Sequence, residues 1–98
     1  MPEVTFTRAA RDDLVTISDD LILRAGLAVA ERYLRRFYDA FDLFERHPGL
    51  GAPRPALGAA TRLWAVPPYV VFYDQTGSSV LVLRVLHGRR NITPDMIR

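Results

Sequence analysis

Residues 47–55, His47-Pro48-Gly49-Leu50-Gly51-Ala52-Pro53-Arg54-Pro55, hold three prolines and two glycines in nine positions. No helix continues through such a stretch, because proline lacks the amide donor and clashes with the preceding turn. The chain is therefore divided. Everything before position 47 that repeats does so at helical spacing. Everything after position 61 that repeats does so at strand spacing.

Before the divide, Glu3-Val4-Thr5-Phe6-Thr7 alternates polar and apolar residues, which predicts a short half-buried strand over 3–7. Ala10, Leu14, Ile17 and Leu21 then recur at intervals of three and four, so they share one face of a helix. Asp12 and Asp13 are expected in its first turn, where acids favour the positive helix end. Gly26 is a natural break. A second helix is predicted from about Leu27 to Arg46. Its apolar stripe is Ala30, Tyr33 or Leu34, Phe37, Phe41 and Phe44, and Glu31 stands at the favourable i,i+4 spacing from Arg35. The short connection makes the pair an antiparallel hairpin.

After the divide the chain reads as a meander. Strands are expected at Arg62–Val66, Tyr69–Asp74 and Val80–His87, with Pro67-Pro68 and Gln75-Thr76-Gly77-Ser78 as turns. Thr93-Pro94-Asp95 in the tail predicts a last short turn of helix. The fold class is α+β, one domain over 1–98, with the hairpin packed on one face of a small, mainly antiparallel sheet. Both faces of the later strands are apolar. On one strand Val80, Val82 and Leu86 alternate with Leu81, Leu83 and Val85; on its neighbour Tyr69, Val71 and Tyr73 alternate with Val70 and Phe72. Two covers for the second face are open: a partner segment, or the 47–61 loop together with the C-terminal tail.

Composition restricts the chemistry. There is no cysteine, so disulfides and thiolate metal sites are excluded, which fits a reducing cytoplasm. The N-terminus lacks the pattern of a signal peptide, and no apolar run is long enough for a membrane span. All 13 basic residues are arginine, so the cations are planar forks suited to carboxylates, phosphates and stacked partners. Residues 1–53 carry a net charge of −2 and residues 54–98 a net charge of +4. An acidic partner for the second half is expected. The excess is small for sequence-independent nucleic-acid binding, and no sequence-specific nucleic-acid contact, cofactor or metal is expected.

Several motifs in order resemble the RelE/ParE toxin superfamily, and its ParE branch in particular. They are Ala10-x-x-Asp13-Leu14-x-x-Ile17, Ala30-x-x-Tyr33, His47-Pro48-Gly49-Leu50-Gly51, Tyr69-Val70-Val71-Phe72-Tyr73, and Val82-Leu83-Arg84-Val85-Leu86-His87-Gly88-Arg89-Arg90-Asn91-Ile92. The resemblance spans essentially the whole chain. It implies the toxin half of a type II toxin–antitoxin pair, silenced by a small ParD-like antitoxin whose C-terminal segment wraps it. It also implies inhibition of DNA gyrase by the free toxin. RelE members instead cut mRNA on the ribosome, and a member that only binds its antitoxin is a third outcome.

The nuclease pattern is poorly matched. RelE-like nucleases carry an arginine in the second meander strand, where Val70 stands here. The preceding strand offers Leu63 and Ala65, with only Arg62 charged. Pro94 stands near the position of a tail tyrosine, and lysine is absent. A reduced site would rest on Arg62, His87 and Arg89, so no catalytic residue is expected under the first reading. His87 has the right ordinary pKa for proton transfer, but no nearby carboxylate in sequence orients it, and a strand-end cap is the simpler role. The residues expected to meet antitoxin or target are Arg62, Arg84, His87, Arg89 and Arg90. Arg84 interrupts an apolar strand, which requires a carboxylate partner, either within the chain or from the antitoxin. Trp64 is expected at core or rim, and Tyr73 in the core with its hydroxyl at the surface.

Overall fold

The computed structural model describes residues 3–98. Strand β1 (Glu3–Phe6) leads into helix α1 (Arg8–Ala25), then α2 (Leu27–Arg46), β2 (Ala52–Pro53), β3 (Thr61–Val66), β4 (Tyr69–Thr76), β5 (Ser79–His87) and α3 (Pro94–Ile97). The order of elements follows the sequence expectation, with one addition. Within the Pro/Gly segment, Ala52 and Pro53 pair with Leu63 and Arg62 as a two-residue edge strand.

Thr7 starts α1. Its hydroxyl accepts from the Ala10 amide at 3.0 Å and donates to the Leu83 carbonyl at 2.8 Å. Such caps are worth about 1 kcal/mol. Because the helix begins at Arg8, Asp12 and Asp13 lie beyond the first turn, contrary to expectation. Asp13 is instead bound to Arg84 and the Val85 amide. Gly26, at φ 90°, ends α1 and starts α2, a backbone conformation that a side chain would strain.

The five strands lie in the order β1-β5-β4-β3-β2, with β1 parallel to β5 and the other pairs antiparallel. The hairpin covers one face. Ala10 and Ile17 of α1 and Ala30, Phe37, Ala40, Phe41 and Phe44 of α2 are buried there against Val71, Tyr73, Val80, Val82 and Val85. Aromatic rings set the spacing between the layers. Phe6 meets Phe41 edge-on at 4.9 Å, and Phe44 lies 4.3 Å from Tyr73.

One expectation about β5 fails, and a β-bulge is the cause. Phe72 pairs with Arg84 but Tyr73 pairs with Val82, so Leu83 is an extra residue on β5. An extra residue reverses the alternation beyond it. Val85 therefore joins Val80 and Val82 under the helices, and Leu86 joins Leu83 on the other face.

That other face is closed by the chain itself. Phe72, Leu83, Leu86 and Ile97 form a second buried cluster, with Leu57 from the 47–61 loop and Ile92 and Met96 from the tail packed on it. Of the two covers left open by the sequence, the loop and the tail take this face. A bare apolar sheet surface awaiting a partner does not occur at this cluster, because the loop and the tail turn bury it. No helix among the described residues is long and apolar enough to cross a membrane.

Candidate functional site

The arginines singled out from sequence have three different surroundings. Arg62 sits on β3 opposite Tyr73. Its Nε donates to Gln75 Oε1 at 2.9 Å, and its Nη1 donates to the Gly49 and Gly51 carbonyls at 3.1 and 2.7 Å. It fastens the Pro/Gly loop to the sheet. Tyr73 fastens the same loop from below. Its hydroxyl accepts from the Gly51 amide at 2.7 Å and donates to the Pro48 carbonyl at 2.9 Å. Gly51 permits this approach, since a β-carbon there would lie 2.9 Å from both the Leu63 carbonyl and the Tyr73 hydroxyl. The tyrosine is fully buried, so its hydroxyl does not reach the surface as expected; it satisfies an inward-facing loop instead.

Burial raises the Tyr73 pKa, partly opposed by the Gly51 hydrogen bond and the Arg62 charge. A raised tyrosine pKa means that the folded state holds the proton more tightly than the unfolded chain. Its contribution is complete below pH about 10 and is lost as pH climbs through the raised value. Tyr73→Phe is expected to cost about 1–3 kcal/mol, because the Gly51 amide loses its partner. It should also flatten the loss of stability above pH about 10. Urea unfolding of both proteins between pH 7 and 11 reads both effects.

Arg84 makes a fork-to-carboxylate pair with Asp13. Nε–Oδ2 is 2.7 Å and Nη2–Oδ1 is 2.9 Å, while Nη1 donates to the Met96 carbonyl at 2.6 Å. Asp13 Oδ2 also accepts from the Val85 amide at 2.9 Å. The hydrogen bond to Asp13 raises the Arg84 pKa, with desolvation opposing it. The internal partner left open by the sequence is thus Asp13, and these Arg84 donors are taken within the chain. The tail has a second anchor. Arg98 Nη2 donates to Thr61 Oγ1 at 2.8 Å and to both Asp74 oxygens at 3.0 Å.

His87, Arg89 and Arg90 end β5. The Arg89 amide donates to His87 Nδ1 at 3.2 Å and the Arg90 amide to the His87 carbonyl at 3.1 Å. The imidazole caps the strand end and packs edge-on to Tyr69 at 5.6 Å. The Arg89 and Arg90 side chains are exposed. Arg62 is not brought to them. It pairs with Tyr73 and His87 pairs with Tyr69, four residues apart on β4. At about 3.4 Å per residue that is about 14 Å, too far for the two to flank one phosphate.

Two further surfaces stand out, of which sequence reading missed the first. A cleft of about 550 Å³ opens where β5 passes beneath α1, lined by Ile17, Asp20, Arg24, Tyr33, Tyr69, His87 and Arg90, among others. Tyr69 in it has a raised pKa, chiefly from burial and secondarily from Asp20. The second surface lies on the outside of the hairpin, where Val15, Leu23, Leu27 and Tyr38 are more than half exposed. The signal for it was present, since Val15 and Leu23 fall off the Ala10–Leu21 face.

Known proteins agree with this architecture. The family described as ParE toxin of type II toxin-antitoxin system, parDE, matches residues 4–92. Toxin ParE3 of Caulobacter vibrioides is 32% identical over 96 residues, covering 98% of this chain and 96% of that protein. Toxin ParE1 of Mycobacterium tuberculosis is 30% identical over 89 residues, covering 90% and 91%. A solved structure of the chromosomal ParDE TA system from P. aeruginosa superposes with a TM-score of 0.75 at 21% identity, covering 89% of this chain and 96% of that one, which shows the same fold. The chain belongs to the ParE toxin family of type II toxin–antitoxin systems.

Proposed function

We propose that this protein acts by binding rather than by catalysis: free, it inhibits DNA gyrase in the cytoplasm, and a small ParD-like antitoxin holds it silent. The observation that supports this best is the separation of Arg62 from His87. Arg62 on β3 and His87 on β5 lie on opposite sides of β4 and are offset by about 14 Å along it. Arg62 is spent on the loop and His87 Nδ1 on a backbone amide. Proton transfer needs acid and base within hydrogen-bond reach of one substrate.

The hairpin surface offers the antitoxin an apolar strip. A groove of about 320 Å³ runs between α1 and α2 past Leu14, Val15, Leu34 and Tyr38. An amphipathic segment laid there places its apolar side on Val15 and Tyr38. Arg89 and Arg90 are exposed at the end of β5, where their forks can meet acidic groups of antitoxin or target.

Expression of the chain alone is expected to block supercoiling by purified gyrase and to accumulate cleavage complexes, without ribosome-dependent cutting of mRNA. Cut mRNA with unaffected gyrase reverses the assignment, and neither effect leaves a chain that only binds antitoxin. Arg89→Ala combined with Arg90→Ala should weaken gyrase inhibition or antitoxin binding by about tenfold or more. Its unfolding midpoint should stay within about 0.5 kcal/mol of the parent, as exposed substitutions do. Unchanged inhibition together with unchanged antitoxin affinity rejects the role of this pair.

A further inference from the structure

Strand β5 is nine residues long, but β1 pairs only with its first four, from Ser79 to Val82. After the Thr7 amide meets the Val82 carbonyl, the chain turns into α1. The Asp13 carboxylate then occupies the next position by accepting from the Val85 amide. Along a strand, backbone groups of alternate residues face the same edge. The Gly88 amide turns the other way, to the Pro68 carbonyl beside β4. The Val85 carbonyl and the His87 amide therefore face the side that β1 has left, and no strand among the described residues pairs with them there. The cleft of about 550 Å³ includes Val85, Leu86 and His87 in its wall, a volume within the range of about 300–1,000 Å³ usual for binding sites.

We infer that an extended, acidic partner segment adds to the sheet as a strand along Val85–His87 in this cleft. The inference deepens the reading that the protein is held by an acidic partner and rests on it. Three features select this occupant. The free edge offers main-chain groups to main-chain groups, and the opposite edge of the sheet is blunted by Pro53 in β2. Ile17, Leu21 and Tyr69 give alternate residues of the segment an apolar floor. The charges in the wall leave one sign uncompensated. Asp13 is neutralised by Arg84 and Asp20 by Arg24 at 3.0 Å, whereas Arg90 has no carboxylate partner among the described residues. A carboxylate on the segment meets Arg90.

The probe is a capped hexapeptide alternating valine and glutamate, titrated into the full chain and followed by amide resonances. Saturable binding at or below about 1 mM should shift the His87 amide, protect it from exchange, and move Tyr33 and Tyr69 signals. The same peptide methylated at alternate amides keeps every side chain but cannot form the ladder, and it should not bind. Arg90→Glu should weaken binding about tenfold, and an alternating valine–lysine peptide should fail. Equal binding of the methylated peptide, shifts confined to Val15 and Tyr38 on the hairpin, or no saturation overturns the proposal. None of these readouts involves gyrase, so failure here leaves the toxin assignment standing, and failure of the gyrase assay leaves this result intact.

Discussion

Asp13→Ala is expected to lower the unfolding free energy by about 3–5 kcal/mol, the usual result when one partner of a buried charge pair is removed. The side chains of Asp13 and Arg84 are 14% and 24% exposed, so some water reaches the stranded guanidinium, and the lower end of that range applies. The loss has a second component, since the Val85 amide loses its acceptor at the point where β1 leaves the sheet. Arg84 would then also hold the Met96 carbonyl without its counter-charge. A domain of this kind has only about 5–15 kcal/mol in all, so the variant should approach the limit of folding at growth temperature. Urea denaturation measures it. Asp13→Leu combined with Arg84→Met should recover much of the loss, because two apolar groups leave no unpaired charge. A double variant no better than Asp13→Ala would show that the pair contributes through the backbone cap alone.

Phe44→Ala is the second large effect. The ring is fully buried on α2 and lies 4.3 Å from Tyr73 and 6.2 Å from Phe41. Truncation removes the transfer energy of the ring and leaves a cavity, about 3–5 kcal/mol together. In a domain this small each kcal/mol lowers the melting temperature by about 4–8 °C. The cavity would open beneath the tyrosine whose hydroxyl fixes Pro48 and Gly51. The Pro/Gly loop should therefore loosen before global unfolding, visible as faster exchange of the Gly51 amide. Phe44→Leu fills most of the space and should cost clearly less. Equal losses from the two substitutions would mean that the site collapses around either residue.

The sequence itself decided the order of elements and which helix faces lie inward. Those properties are local. The spacing of Ala10, Leu14 and Ile17, the stripe from Ala30 to Phe44, and the proline-rich divide each act within a few residues of themselves, and α2 runs from Leu27 to Arg46 as its pattern predicts. The family was legible for the same reason, since its motifs are short runs in a fixed order. Tertiary structure decided the rest. The partner of Arg84 stands 71 residues away at Asp13, and that of Asp74 stands 24 residues away at Arg98, separations at which neither period nor propensity carries information. The bulge at Leu83 reversed the last third of β5, because alternation has no memory of one inserted residue. Closure of the second sheet face by Leu57, Met96 and Ile97, and the unpaired end of β5, depend on where β1, loop and tail come to rest. Local pattern says which surfaces must be hidden; only the packed chain determines what hides them.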